Sequence, residues 1–175
     1  MHQPNYIEFA ISLIGVPYGY WSGSEIPRDD STSFYASNDN LPSYELILSN
    51  GISCTGLVNL LRRYLRLVVP GVDDPHNNFP GGTVAWYKYL EPHLIYYDNS
   101  IIYPNGTLLL RPYKDFTDQG HIAIVVDNKT LHSFPFIFDP FTEGTNAPGV
   151  SITAIWEDYY IYAAPPSAWV LGLGK

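Results

Sequence analysis

The feature that most constrains the fold is a change of hydrophobic period near residue 106. Before it, residues 54 to about 68 carry apolar side chains at helical spacing, and Pro70-Gly71 ends that run. After it come short β-type runs separated by turn residues, at 106–112, 120–127, 130–136, 150–156, 159–164 and 168–173. Helices followed by strands are typical of an α+β fold with a mainly antiparallel sheet.

The rest of the chain predicts two further helices and two long connections. Helices are expected at 5–14 and at about 83–91, each beginning near helix-start residues. Residues 21–45 are rich in Ser, Asp, Asn and Pro and predict an irregular loop, and a second insertion is expected at about 73–105. The whole chain, 1–175, is expected to form one domain.

Composition excludes several classes of function. The formal charge of −8 argues against nucleic acid as the main ligand, because phosphate binding requires a basic face. No window approaches the length of a membrane span and no signal-peptide pattern is present, so the chain is expected to be soluble, secreted or delivered to a cell wall only if a leader was removed. The 15 tyrosines suggest a groove that grips extended peptides or sugars.

The only cysteine, Cys54, stands at the start of the central helix. The unpaired N–H groups of a first helical turn and the positive end of the helix dipole favour a thiolate and can stabilise an oxyanion. A free cysteine is also among the most buried residue types, so the position alone fits a small core side chain equally well.

Two histidines favour the interpretation of Cys54 as a nucleophile. A nucleophilic cysteine needs a base, and the base needs a polar group that orients it. His121 and His132 lie on consecutive strands, and a two-residue turn at Asp127-Asn128 would put both imidazoles on one face, with His132 opposite Ala123. The alternative is a pair of histidines satisfied at a sheet surface.

Other motifs are weak. The sequence contains no HExxH, no paired CxxC and no calcium-loop pattern, and the terminal "GLGK" ends where the helix of a P-loop would have to begin. A two-histidine metal site at His121 and His132 lacks a third ligand nearby in sequence. Neither a metal nor a cofactor is therefore expected.

Three segments in order resemble the NlpC-type cysteine peptidases of the papain-like clan, with some character of the related CHAP amidases. They are "IGVPYGYWSG" (14–23), "GISCTGLVNLLRR" (51–63) and "GHIAIVVDNKTLHSF" (120–134). The resemblance implies a papain-like domain in which the nucleophile helix packs on an antiparallel sheet. It also implies Cys54 as nucleophile, His121 as base, His132 as third member and Tyr18 as an aid to the oxyanion site.

The resemblance further implies a substrate and the residues that meet it. The family's usual substrate is the stem peptide of bacterial peptidoglycan, with Ser53, Thr55 and Trp21 expected on the substrate side. Ser53 stands where the family usually has an aspartate that meets a free amine, and Thr55 replaces the usual serine. We therefore expect a thiol-dependent hydrolase that cleaves amide bonds, with peptidoglycan as the leading substrate.

Two alternatives stay open. One is an amidase, deamidase or acyl-transferase on a substrate outside the cell wall, because the amine anchor is replaced at Ser53. The other is a catalytically silent module that binds peptides or glycans through an aromatic groove.

Overall fold

The computed structural model describes residues 5–19, 35–76, 79–115, 117–135 and 148–171. Within them the chain forms four α-helices: α1 (Tyr6–Ser12), α2 (Tyr44–Asn50), α3 (Cys54–Tyr64) and α4 (Thr83–Leu90). Short 3₁₀ helices follow at Glu91–His93 and Pro166–Ala168. None of the described helices is long and apolar enough to cross a membrane.

The strands form one six-stranded antiparallel sheet. They are β1 (Ile95–Tyr96), β2 (Leu108–Arg111), β3 (His121–Val126), β4 (Lys129–Phe134), β5 (Gly149–Thr153) and β6 (Tyr162–Ala164). Their order across the sheet is β1-β6-β2-β3-β4-β5, so β3 is central and β6 is inserted between β1 and β2. The α+β class predicted from the sequence is confirmed.

The central helix α3 packs on one face of the sheet and forms the main core there. Its side chains Leu57, Leu60 and Leu61 are fully buried with the inward residues of β3, Ile122 and Ile124. The opposite face of β3, with Ala123 and Val125, carries a smaller cluster that is covered by tyrosines. Residues of β3 therefore alternate between two buried faces, which explains why all six are buried.

Several predicted elements differ from those observed. The strands predicted at 150–156 and 159–164 are observed at Gly149–Thr153 and Tyr162–Ala164. The central helix stops at Tyr64 instead of about 68, because Arg66 adopts a left-handed backbone with φ of 57° that breaks helical continuity. The strand predicted at 168–173 is wrong over its described part. Pro166–Ala168 form a 3₁₀ helix, and the following Trp169 is fully buried in the main core.

The two predicted insertions contain regular structure. Helix α2 begins at Tyr44, at the end of the 21–45 segment, and its N-cap Ser43 accepts a hydrogen bond from the N–H of Leu46 at 3.3 Å. The 73–105 segment contains α4, where a helix was predicted, and also β1. Residues 20–34 lie outside the described residues, and that part of the loop prediction remains a prediction.

Candidate active site

The β3–β4 hairpin places His121 beside His132. Its loop is Asp127-Asn128, both with left-handed backbones (φ 49° and 60°), as the type I′ turn requires. The register Ile124↔Leu131 puts His132 one step beyond Leu131, opposite Ala123. The two rings meet, with His121 Nε2 and His132 Nδ1 2.8 Å apart. The shared face predicted for the two histidines is confirmed.

Cys54 lies at the point where β3 and β4 diverge. The described ladder between them ends at Ile124↔Leu131, two pairs short of Ile122 and Ser133. There the backbone N–H of Ile122 instead donates toward the sulfur of Cys54, and the Ser133 hydroxyl donates to the carbonyl of Ile52 at 2.5 Å. The segment before α3 thus enters the gap between the strands and brings the thiol to the residue that follows His121.

Ser53 fixes the start of α3. Its side chain accepts a hydrogen bond from the N–H of Gly56 at 3.0 Å, which is an N-cap. The cap leaves the N–H groups of Cys54 and Thr55 turned to the sulfur, where both act on the thiol. Ser53 is only 2% exposed, so its hydroxyl supports the helix and offers almost no surface to a substrate.

The charge state of Cys54 differs from the sequence expectation. Burial raises the pKa of the Cys54 thiol to about 11, against the lowering effect of the N–H groups of Ile122, Thr55 and Cys54 itself. The helix N-terminus therefore acts in the predicted direction, but the loss of solvation is larger. Cys54 is a neutral thiol at neutral pH in this state of the protein.

The histidine pair is also neutral. His121 is 2% exposed and His132 is fully buried. Burial, followed by the neighbouring His132, holds the pKa of His121 well below its ordinary value of 6.5. Burial lowers the pKa of His132 to about 4. Both rings therefore have one protonated and one unprotonated nitrogen at neutral pH, as a general base requires.

Aromatic side chains enclose the pair. The His121 ring centroid lies 5.1 Å from that of Phe134, 5.8 Å from Tyr159 and 6.3 Å from Trp156. Burial, and then a negative charge on Cys54, raise the pKa of Tyr159, so this tyrosine neighbours both the thiol and the base. Among the described residues, no hydrogen bond joins Cys54 to either imidazole.

Beyond His132, the hydrogen bonds continue to β5. His132 Nε2 and Thr153 Oγ1 are 3.2 Å apart, and the Thr153 hydroxyl is also 3.0 Å from the carbonyl of Ala154. His121, His132 and Thr153 therefore form one buried series of hydrogen-bonding groups that runs across three adjacent strands.

The other predicted site residues divide into three cases. The backbone of Tyr18 bridges to Ile52, two residues before Cys54, and the role of its side chain at the oxyanion site remains a prediction. Thr55, expected to face substrate, is 1% exposed at the first turn of α3. Trp21 lies outside the described residues, and its role remains a prediction.

Sequence reasoning missed Thr153, Trp156 and Tyr159. The run "TAIWEDYY" contains all three, but the connection 135–148 is too long to fix the register of β5 against β4. Only the observed pairing Thr130↔Thr153 brings that run to the histidines.

Within the described ranges, no group of three or more His, Cys, Asp or Glu side chains is arranged to hold a metal ion. Comparison of the chain with family models, with curated proteins and with solved structures found no match.

Proposed function

We propose that this protein is a thiol-dependent hydrolase that cleaves amide bonds through an acyl-enzyme on Cys54. The observation that carries the proposal is the juxtaposition of a cysteine at a helix N-terminus with the buried His121–His132 pair at the divergence of β3 and β4. A nucleophile, a base and a group that orients the base are the parts that covalent acyl transfer needs.

The proposed reaction starts from a neutral Cys54 thiol and a neutral His121 ring. As the sulfur attacks a carbonyl carbon, the thiol proton passes to His121. Because Nε2 of His121 is hydrogen-bonded to His132, the nitrogen that accepts this proton is Nδ1. The C–S bond forms as the carbonyl π electrons move to the oxygen, and the resulting oxyanion takes hydrogen bonds from the N–H groups of the first turn of α3, which act on the sulfur in the resting site. The protonated His121 then gives its proton to the leaving amine, and water releases the acyl group by the reverse sequence.

Bacterial peptidoglycan stem peptides are the substrate we propose first, from the resemblance of the three motifs to NlpC-type peptidases. The test is digestion of purified peptidoglycan by the wild type and by Cys54→Ala, with quantification of new amino groups and mass spectrometry of the released peptides. We expect release by the wild type and a loss of at least about a hundredfold in the variant.

Two further variants refine this experiment. His121→Gln removes the base and should reduce the rate by roughly 10²–10⁴-fold. Tyr113→Phe changes an exposed tyrosine outside the site and should digest as the wild type does. Equal amine release by the wild type and Cys54→Ala would refute the cell-wall proposal.

The position of Ser53 favours a second candidate. Because its hydroxyl caps α3 and is buried, the site lacks a carboxylate at the place where the family meets a free amine. A substrate without such an amine, cleaved by an amidase or deamidase or used by an acyl-transferase, fits this site. Incubation with acyl amides and esters that lack a free α-amine, with Cys54→Ala as control, separates it from the first candidate.

A further inference from the structure

Thr153 is the end of the buried series and touches no part of the proposed reaction directly. Its Oγ1 lies 3.2 Å from His132 Nε2, 3.0 Å from the carbonyl oxygen of Ala154 and 3.0 Å from the hydroxyl of Thr130. The Thr130 hydroxyl in turn lies 3.3 Å from the carbonyl of Thr153 and 3.4 Å from that of Ala154. Thr130, Thr153 and His132 are all completely or almost completely buried, so these groups satisfy one another, together with the buried Tyr160 hydroxyl that interacts with Thr130.

The carbonyl oxygens of Thr153 and Ala154 determine the direction of the threonine hydroxyl protons. A carbonyl oxygen only accepts, so it attracts the hydroxyl protons of the two threonines. With the Thr153 proton on the carbonyl of Ala154, Thr153 Oγ1 has only lone pairs to offer His132. His132 must then donate from Nε2–H. The reverse assignment would direct the Thr153 proton to His132 and leave the Ala154 carbonyl with the longer contact to Thr130.

The tautomer of His132 determines the tautomer of His121. If His132 carries its proton on Nε2, its Nδ1 is a lone pair and accepts from His121 Nε2–H across the 2.8 Å contact. The lone pair of His121 is then on Nδ1, the nitrogen that the proposed reaction needs as its base. With the opposite tautomers, His121 Nδ1 would carry a proton and could not accept one from the thiol.

We infer that Thr153 is a positioning residue that sets both buried histidines as Nε2–H tautomers and so makes His121 Nδ1 a proton acceptor. The inference about the tautomers rests on the hydrogen bonds alone, whereas its consequence for catalysis rests on the proposed function. Thr153 acts through His132, and none of the hydrogen bonds among the described residues joins its hydroxyl to Cys54.

The experiment reads the tautomers directly. Protein labelled with ¹⁵N-histidine is examined by long-range ¹H–¹⁵N correlation at neutral pH, with the two rings assigned from His121→Gln and His132→Gln. We expect both rings of the wild type as Nε2–H tautomers. Thr153→Ser, which keeps the hydroxyl, should give the same pattern, and Thr153→Val should give mixed tautomers in His132 and a rate of Cys54-dependent amide cleavage about tenfold lower.

Ser151→Ala is the matched control. Ser151 pairs with His132 across β4 and β5, and among the described residues its hydroxyl bonds neither imidazole, so the tautomers should not change. A protonated Nδ1 on His121 in the wild type, or unchanged tautomers in a folded Thr153→Val, would overturn the inference. If Thr153→Val does not fold, the tautomers observed in the wild-type spectrum still test the inference. Failure of Cys54-dependent amide cleavage would refute the proposed function and leave the tautomer result standing.

Discussion

The protonation states of individual residues determine how this site can react. Burial raises the pKa of Cys54 and lowers those of His121 and His132, so all three are uncharged near neutral pH. Cys54 itself is half-buried, but an ion pair of thiolate and imidazolium would put a positive charge on a histidine ring that has almost no contact with solvent. The thiol therefore has to transfer its proton during attack, and the geometry of the base is more important than the resting charge of the sulfur.

Alkylation of the single cysteine by iodoacetamide should follow this raised pKa. The folded protein should alkylate ever faster from pH 8 to beyond pH 10, because the thiol titrates near 11. At pH 7.5 the folded thiol should react about a hundredfold more slowly than the same thiol in denaturant, as expected for a shift from 9.0 to about 11. Mass spectrometry of the one adduct measures both rates, and a plateau already reached by pH 8 would indicate an activated thiolate.

His132 should make the fold sensitive to acid. Its pKa is about 4 in the folded protein and 6.5 when solvated, so between these values the unfolded chain binds more protons. The contribution of His132 to the free energy of unfolding should therefore be fully present above pH 6.5. It should fall by about 3 kcal/mol as the pH is lowered to 4. Urea unfolding of the wild type and His132→Gln at pH 7 and pH 4.5 measures the difference, and parallel losses would contradict it.

At the scale of secondary-structure elements, the position of α3 depends on its first turn. The Ser53 cap holds the N–H of Gly56, while the preceding Ile52 is hydrogen-bonded to Ser133 of β4 and to the backbone of Pro17 and Gly19. The helix start is thus fixed from the helix itself and from the sheet. Any loosening there moves the sulfur relative to His121.

Ser53→Ala should therefore change both stability and reactivity. Loss of the cap should lower the free energy of unfolding by about 1 kcal/mol. The Cys54 alkylation rate should change as well, because the sulfur shares the same turn. Ser43→Ala removes the equivalent cap from α2 at a distance in sequence from the thiol, so it should cost similar stability and leave alkylation unchanged. Equal alkylation in both variants would argue against a positioning role for the Ser53 cap.

The elements that the sequence predicts well are those fixed by local rules. The two-residue turn at Asp127-Asn128 determines the register of β3 against β4, so the contact of His121 with His132 is predictable from residue numbers. Pairing between β4 and β5 depends on tertiary packing across a long connection, so the contact of Thr153 with His132 is not predictable from the sequence. Residues 168–171, wrongly predicted as part of a strand, include apolar side chains like a strand, but Pro165 and Pro166 set a turn and Trp169 is fully buried in the main core.

At the scale of the whole molecule, Arg62 joins distant parts of the chain. This arginine on α3 is 4% exposed and donates to the carbonyls of Val68 and Trp169 and to the hydroxyl of Tyr89. It thereby satisfies groups from the loop after α3, from α4 and from the segment after β6. A buried cation is stable here because every side of its guanidinium has an oxygen partner.

Arg62→Met should destabilise the whole fold. The aliphatic stem is retained, but buried carbonyls lose their donors, so we expect a loss of roughly 3 kcal/mol in the free energy of unfolding. Arg66→Met changes an exposed arginine of the same segment and should stay within about 0.5 kcal/mol of the wild type. Urea denaturation followed by tryptophan fluorescence measures both, and equal stabilities would show that the Arg62 contacts are energetically neutral.

The insertion of β6 between β1 and β2 has a consequence for the order of events during translation. Of the six strands, Tyr162–Ala164 are the last to leave the ribosome, yet they separate two strands made earlier. A nascent chain that has only reached β5 has no neighbour for β1, and the outer edge of β2 is open. The sheet is therefore completed only after β6 has been synthesised, and the hairpin that carries both histidines can form before that point.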